Sequence, residues 1–176
     1  MATKKTAQFT LTERLTMGTA GALASATIDL ASYIDVADRQ AITIQSVDFI
    51  VQGTTADETL TTMTGGSDSD IQVQVLDLNR NGLVFVNDRA LVASMRYNYD
   101  GGGSSYFADV YPDNFGPNGS AAGRIVVNDT LYVEGITSAL GTNKACNVTV
   151  RINATVVSLN AKDFMAIAIQ STAADN

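Results

Sequence analysis

The chain has 176 residues, of which 45% are hydrophobic and 16% are charged, and its formal net charge is −7 at pH 7. This length suits one domain with one buried core, and the negative charge argues against a protein that recognises nucleic acid through its phosphates. Because the sequence has no His and a single cysteine, Cys146, it excludes His-based catalysis, a multi-thiolate zinc site and an internal disulfide.

The first residues predict a short arm. Residues 1–7 include Lys4 and Lys5 and lack the apolar core of a signal peptide. We therefore expect a flexible N-terminal arm at 1–7 and one domain over 8–176. No window approaches the roughly 20 apolar residues of a membrane span, so we also expect no transmembrane segment.

Most of the remaining chain alternates apolar and polar residues with a period of two, which is typical of strands buried on one face. A change of phase near Ser46 predicts a β-bulge, and Asn81–Gly82 predicts a hairpin turn. The predicted strands are Gln8–Met17, Thr27–Ile34, Ala41–Val51, Ile71–Val75, Leu83–Val86, Ala90–Tyr97, Arg124–Val127, Thr130–Glu134, Ala145–Val156 and Phe164–Gln170.

Three polar segments between these strands predict loops: Gly53–Asp70, Asp100–Gly123 and Ser138–Lys144. The middle loop is long and contains four aromatic residues, which argues against simple disorder. We expect this loop to pack on something, such as a neighbouring copy of the chain. Its aromatic residues are Tyr106, Phe107, Tyr111 and Phe115.

The pattern predicts an all-β fold with no long amphipathic helix. About eight to ten strands in one open sheet would leave exposed edges, so two packed antiparallel sheets or a closed barrel are favoured. We therefore predict a single jelly-roll domain, an antiparallel β-sandwich of about 8–10 strands.

The segment 77–88 has the spacing of the first half of a calcium loop. Asp77, Asn79 and Asn81 supply oxygen atoms at alternate positions, Gly82 follows, and Asp88 stands at the twelfth position. Calcium loops of this kind end in Glu and lie between helices, whereas strands are predicted here. A hairpin turn is therefore the favoured interpretation, with a cation site as the alternative.

Other motifs are also better explained by structure than by chemistry. Asp68 and Asp70 fit a solvated loop, and the glycines of Asp100–Ser105 lack the Lys and the helix of a phosphate-binding loop. Cys146 falls among inward-facing Val residues, so it is expected to be a small buried hydrophobe. Four Asn-x-Ser/Thr sequons are attributed to composition; they begin at Asn118, Asn128, Asn147 and Asn153.

The basic residues near the N-terminus are too few for an arm that condenses a genome. Lys4, Lys5 and Arg14 would neutralise only a few phosphates. No spacing singles out a nucleophile, an acid or a base. We therefore predict that the chain is not an enzyme, and that it has no catalytic residues, no cofactor-binding residues, no metal ligands and no sequence-specific nucleic-acid contact.

The arm, the strands and the long Gly/Asn/aromatic loops, together with IVVNDTLYVEG at 125–135 and CNVTVRINATVV at 146–157, resemble the single jelly-roll major capsid proteins of icosahedral viruses. The resemblance is greatest to those of internal-membrane viruses of bacteria and archaea. It implies β-barrels clustered into capsomers, no catalysis, and a location in a virion assembled in the host cytoplasm. It leaves open whether a second coat protein or a membrane-associated minor protein joins the shell.

The residues independently favour self-assembly, because a neutral-polar surface leaves few charges to desolvate at an interface. We therefore predict a coat or shell subunit whose partners are copies of itself, contacted through Asp100–Gly123 and the two termini. The alternative is a phage decoration or fibre domain or a carbohydrate-binding β-sandwich, although the chain has no Trp. A cupin-like enzyme would need His ligands, and a surface filament would need an export route.

Overall fold

In a computed structural model, the chain folds into two antiparallel β-sheets that form a sandwich. The structure describes residues 2–18, 20–56, 58, 63–65, 68–101, 105–112, 123–138 and 145–172. Within these ranges the elements are β1 (Thr3–Lys4), β2 (Phe9–Met17), β3 (Ala24–Asp29), β4 (Gln40–Gln52), β5 (Ser69–Leu76), β6 (Leu91–Asp100), β7 (Ser105–Tyr111), β8 (Arg124–Val126), β9 (Thr130–Thr137), β10 (Cys146–Ser158) and the helix α1 (Ala161–Thr172).

The strands pair in a nested order, in which the first strands of the chain pair with the last ones and the middle strands pair with each other. In the first sheet β2 pairs with β10, β10 with β4 and β4 with β8, while β1 extends the β10 edge beside β2. In the second sheet the order is β3, β9, β5, β6 and β7. The pairs β2–β10, β3–β9, β4–β8 and β5–β6 therefore make a folded-over hairpin of eight strands divided between two sheets, which is a jelly roll. The predicted fold class is confirmed.

The hydrophobic core lies between the two sheets and follows the predicted alternation. On β10, Val148, Val150 and Ile152 are fully buried, whereas Arg151 between them is exposed. The partner side chains come from both sheets and include Leu15, Ile44, Val73, Val75, Leu131 and Val133.

The two sheets approach each other closely at Gly135 on β9. A Cβ atom there would lie 2.5 Å from Cδ2 of Leu15 and 2.8 Å from Sδ of Met17, both on β2. A larger residue would have to displace the ends of these buried side chains. Glycine therefore favours the close packing of β2 across β9.

The predicted bulge is present in β4. The register between β10 and β4 shifts between Asn153, which pairs with Ser46, and Ala154, which pairs with Ile44. Gln45 is the extra residue, and it reverses the parity of the buried side chains along the strand.

One predicted strand ends too late and another does not exist, because in both segments side chains form hydrogen bonds with the backbone that strand pairing would otherwise supply. The predicted strand Thr27–Ile34 ends at Asp29, whose Oδ1 accepts the N–H of Ala31 at 2.8 Å and starts a turn. The predicted strand Leu83–Val86 is not a strand, since β5 pairs with β6 instead.

The segment 83–86 is held against β5 by one amide side chain. Gln74 donates from Nε2 to the carbonyl of Val84 and accepts the Val84 N–H at Oε1, both at 2.8 Å. This pair of hydrogen bonds takes the place of the backbone hydrogen bonds that a neighbouring strand would make.

The predicted strand Phe164–Gln170 was also wrong, because this segment belongs to α1. Asn160 caps the helix: its Oδ1 accepts the N–H of Asp163 at 2.8 Å, and its Nδ2 donates to Asp163 Oδ2 at 2.8 Å. Residues 164–169 are all apolar, so the sequence shows no alternation that separates a helix from a buried strand.

The helix α1 covers the outer face of the first sheet near β4 and β10. Phe164, Ile167 and Ala168 follow helical spacing and pack on a second apolar cluster. That cluster consists of Ala41, Val127, Val157 and Leu159. The first sheet is therefore buried on both faces at this end.

Parts of the predicted arm and of the predicted long loop lie in strands. Within the arm, Thr3 and Lys4 pair with Ser158 and Val157 as β1. The predicted loop Asp100–Gly123 contains β7, so it was wrong over Ser105–Tyr111. Its remaining parts at 102–104 and 113–122, which include Phe115, lie outside the described residues.

Candidate functional site

The carboxylates of the segment 77–88, the alternative cation site, are used in ion pairs. Oδ2 of Asp77 lies 3.0 Å from Nη2 of Arg124, and Oδ1 of Asp88 lies 3.1 Å from Nη2 of Arg80. Among the described residues, no group of three or more His, Cys, Asp or Glu could hold a metal ion. These contacts favour a structural role for the segment over the cation site, although the predicted hairpin was wrong, because 83–86 is not a strand and β5 pairs with β6.

The two asparagines of this loop have structural positions as well. Oδ1 of Asn79 accepts the N–H of Asn81 at 2.9 Å, which forms a local turn. Asn81 itself has a φ of 54°, a left-handed conformation that Asn tolerates better than most residues. The alternation of oxygen-bearing residues thus serves the turn.

Asp77 connects three segments of the chain at one end of the sandwich. Its N–H donates to the carbonyl of Ala90 at 2.9 Å, and its carbonyl accepts from Nδ2 of Asn128 at 2.6 Å. Arg124 bonds Asp77 Oδ2 and also donates to the carbonyl of Arg89. The ion pair therefore links the end of β5 to β8 and to the loop before β6.

The side chain of Asp77 is only 2% exposed, and its Oδ1 has no hydrogen-bond partner in the described part of the protein. Burial raises the pKa of this carboxyl above its ordinary value, although the hydrogen bond and the charge of Arg124 act in the opposite direction.

Calcium is expected to leave the melting temperature unchanged, because arginines already occupy the carboxylates of the loop. A site with a Kd of about 10 μM would add about 2.7 kcal/mol at 1 mM calcium, which is several degrees for a chain of this size. Thermal melts in 1 mM calcium and in excess chelator measure this. A shift of several degrees that Asp88→Asn abolishes would contradict the expectation.

The second acidic candidate, Asp68 and Asp70, is also engaged with protein groups. Asp70 Oδ2 accepts from Arg96 Nη2 at 2.9 Å and from Gln72 Nε2 at 2.9 Å. Asp68 Oδ1 accepts the N–H of Gly101 at 3.0 Å. The first amide of the glycine run is therefore used by a carboxylate, and residues 102–104 lie outside the described residues.

Asn147 and Asn153, two of the sequon asparagines, form a polar ladder on the outer face of the first sheet. Asn147 accepts from Thr16 at 2.7 Å and donates to the carbonyl of Gly53 at 2.8 Å. Asn153 accepts from Thr10 and donates to Ser46, both at 2.8 Å. Each of these β10 amides therefore connects a threonine of β2 on one side with β4, or the residue that follows it, on the other.

The other two sequons give a partial result. The side chain of Asn128 is engaged by the carbonyl of Asp77, so its amide has a structural partner. Asn118 lies outside the described residues.

The Cys146 thiol is expected to be inert in the folded protein. It is fully buried, and burial raises its pKa to about 11, so very little reactive thiolate forms at pH 8. Native protein should react with a disulfide reagent only as it unfolds, and fully in guanidinium.

A variant that carries Thr12→Cys on the exposed face of β2 provides the positive control. It should gain one fast-reacting thiol. Equal native reaction rates for the original chain and this variant would contradict the buried position of Cys146.

The basic residues near the N-terminus do not form one patch. Lys4 pairs with Val157 and Arg14 pairs with Thr149, which puts eight positions of β10 between them. At the rise of a strand this is roughly 27 Å. The arrangement offers no concentrated basic surface for a phosphate backbone.

The structure has three exposed apolar pairs, of whose members sequence reasoning had named only Tyr111 as a contact residue. The first is at the tip of the β5–β6 loop, where Phe85 and Val86 are 87% and 58% exposed; we call this pair the knob. The other pairs are Met165 and Ile169 on α1 and Val110 and Tyr111 on β7. The apolar run 83–86 was the available signal, but it was interpreted as a buried strand.

Sequence reasoning also missed an apolar groove of about 430 Å³ between the sheets. Because β8 pairs only with residues 42–44 of β4, the later part of β4 has no described neighbour on that edge. Within the ranges that the structure describes, the two sheets are open there. We call this feature the groove; its apolar lining comes chiefly from Phe49, Val51, Met63, Met95, Tyr97 and Val110.

Within the described residues, no helix has both the length and the apolar character needed to cross a membrane. No protein-family model and no curated relative matches the sequence.

Comparison with solved structures finds viral proteins. A chain from desmodium yellow mottle tymovirus is 12% identical with a TM-score of 0.36, over 89% of this chain and 93% of that one. VP1 of Trichodysplasia spinulosa-associated polyomavirus, solved in complex with sialylated glycooligomers, is 10% identical with a TM-score of 0.39, over 89% of this chain and 98% of that one. The chain thus shares a general likeness in fold with these viral chains, at the level of pattern that the sequence resemblance indicated.

Proposed function

We propose that this protein is a structural subunit that assembles with copies of itself into a closed shell, and that the shell is the capsid of a virus. In this proposal the subunit is located in the virion and performs no catalysis. Its inter-subunit contacts involve the region 100–123, the two ends of the chain and the exposed apolar pairs.

The observation that carries the proposal is the placement of large exposed apolar side chains on three separate elements. Phe85 belongs to a loop, Met165 to the helix on the first sheet, and Val110 to the edge of the second sheet. Exposed apolar groups on a soluble domain mark contact surfaces when they cluster. A shell subunit needs contacts on several sides at once, whereas a module that binds one sugar needs a single site.

The chemistry of the chain supports the same proposal over other uses of the fold. Jelly rolls occur in capsids, lectins and cupins, so the fold does not decide the function. The sequence has no His to ligate a cupin metal and no Trp for a sugar platform. Charged residues make up only 16% of the chain, which lowers the cost of covering its surface.

The size distribution of the purified full chain tests self-assembly. Light scattering and negative-stain imaging across protein concentration and ionic strength should show rings, tubes or shells. A stable monomer under all conditions would contradict the proposal and favour the binding-module alternative.

A pair of helix variants shows whether the exposed apolar groups drive the assembly. The double variant Met165→Ser and Ile169→Ser removes the exposed pair, and Lys162→Ser with Ala166→Ser is the matched control at equally exposed positions of the same helix. The first variant should assemble less than the control at equal thermal stability. Equal assembly of the two would remove α1 from the set of contacts.

A further inference from the structure

The knob is an apolar group presented to solvent on a fixed loop. Phe85 is 87% exposed, yet the adjacent Val84 is bonded twice to Gln74, and the carbonyl of Phe85 accepts the N–H of Asp88 at 2.9 Å. The pair Arg80–Asp88 closes the same loop at 3.1 Å. A group that is already ordered loses little entropy when it binds, so the knob is suited to act as an anchor.

The groove has the size and chemistry to receive such an anchor. The groove is lined by Phe49 and Val51 on β4, which are partly buried, and on β6 by the partly buried Tyr97 and the buried Met95. Its volume of about 430 Å³ falls in the range of roughly 300–1,000 Å³ typical of sites that enclose compact apolar groups.

A chain cannot place its own knob in its own groove. Val73 and Val75 of β5 point into the core, so Gln74 between them points to the outer face of the second sheet, and the knob loop is bonded to Gln74. The groove instead opens between the inner faces of the two sheets. The knob and the groove therefore lie on different sides of the molecule.

The charges near the two features are complementary. Arg89 is exposed beside the knob in the same loop. Glu58 lines the groove. In a chain with a net charge of −7, a basic group next to the knob favours docking beside this carboxylate.

We propose that the knob of one copy, Phe85 and Val86, inserts into the groove of a second copy of this chain. This inference rests on the proposed self-assembly and specifies one of its contacts. Because the knob and the groove are different surfaces, the contact is heterologous: each copy gives one knob and receives another. Repetition of such a contact closes into a ring or a shell when the rotation between copies permits it.

Two complementary variants test the contact. Phe85→Ser with Val86→Ser removes the knob and keeps the groove, whereas Ala108→Trp fills the groove and keeps the knob. The matched control is Val36→Ser, which removes another exposed apolar side chain, 65% exposed, from a different loop. Thermal melts establish that all variants are folded.

Analytical ultracentrifugation of each variant alone and of their mixture gives the result. We expect each variant alone to associate at least about 30-fold more weakly than the original chain, while Val36→Ser associates normally. An equimolar mixture should recover association through 1:1 pairs of the two variants, because each pair contains one intact knob and one intact groove. A contact between identical surfaces would not give this complementation.

Other results would overturn the inference. If the original chain assembles and the mixture stays monomeric, or if both variants assemble normally, the knob–groove contact is wrong while the proposed function stands. An original chain that never associates would overturn both. Native mass spectrometry of the monomer tests whether the groove holds a small molecule instead. A bound apolar molecule that is present in the original chain and absent from Ala108→Trp would assign the groove to a ligand.

Discussion

The variant Ile152→Ala is expected to lower the free energy of unfolding by about 4 kcal/mol. Ile152 is fully buried at the middle of β10, where it pairs with Leu11 of β2 on one side and Val47 of β4 on the other. Loss of its side chain leaves a cavity between the sheets that three paired strands cannot collapse to fill.

Denaturant unfolding of the original chain and the variant measures this loss. Arg151→Ala is the matched control, because Arg151 is the exposed neighbour on the same strand and its replacement should cost less than about 0.5 kcal/mol. Similar losses for the two variants would contradict the assignment of Ile152 to the core.

The second large effect is expected from Arg124→Met, which should lower the free energy of unfolding by about 3 kcal/mol at pH 7. The change leaves the carboxylate of Asp77 buried without its counter-ion, and breaking a buried pair in this way costs about 3–5 kcal/mol. The lower end applies because the side chain of Arg124 is 34% exposed and Asp77 can take up a proton. The double variant with Asp77→Asn should recover most of the loss.

The same carboxyl gives a pH dependence of known sign. Since burial raises the pKa of Asp77 in the folded chain above 3.8, the folded chain holds this proton more tightly than the unfolded chain does. The contribution of Asp77 to stability is therefore greatest at acid pH and falls as the pH rises through the folded pKa.

Asp77→Asn, which cannot ionise, isolates this contribution. Its stability relative to the original chain should increase as the pH rises from about 4 to 7, as measured by denaturant unfolding at each pH. A difference that stays constant or decreases over that interval would show that ionised Asp77 is not penalised by burial.

The sequence predicted the strands in which burial alternates from one residue to the next, because that pattern is visible in the sequence itself. Alternation in Ala145–Val156 predicted β10 and its inward face, and the change of parity near Ser46 predicted the bulge. Both signals come from the period of two that a half-buried strand imposes.

Elements that depend on distant partners were not predictable in the same way. The apolar run at 164–169 has no period, so its helical state is decided by the Asn160 cap and by the surface that it covers. The segment 83–86 looked buried, but its partner is the side chain of Gln74 on the outer face of the sheet. The groove arises because β8 is short and pairs with only three residues of β4. The sequence of β4 gives no sign of this missing partner.

The pairing of the first strands of the chain with the last ones also determines when the domain can fold. Thr10 donates a hydrogen bond to Asn153, which lies 143 residues later in the chain. At roughly 5–20 residues per second of synthesis, β2 waits about 7–30 s for β10. Such distant pairing makes folding slow, and until β10 arrives the edges of β2 and β4 are open to wrong partners. Correct strand pairing is therefore delayed until β10 has been made, and the yield of folded protein in a cell should depend on chaperones that shield these strands during synthesis.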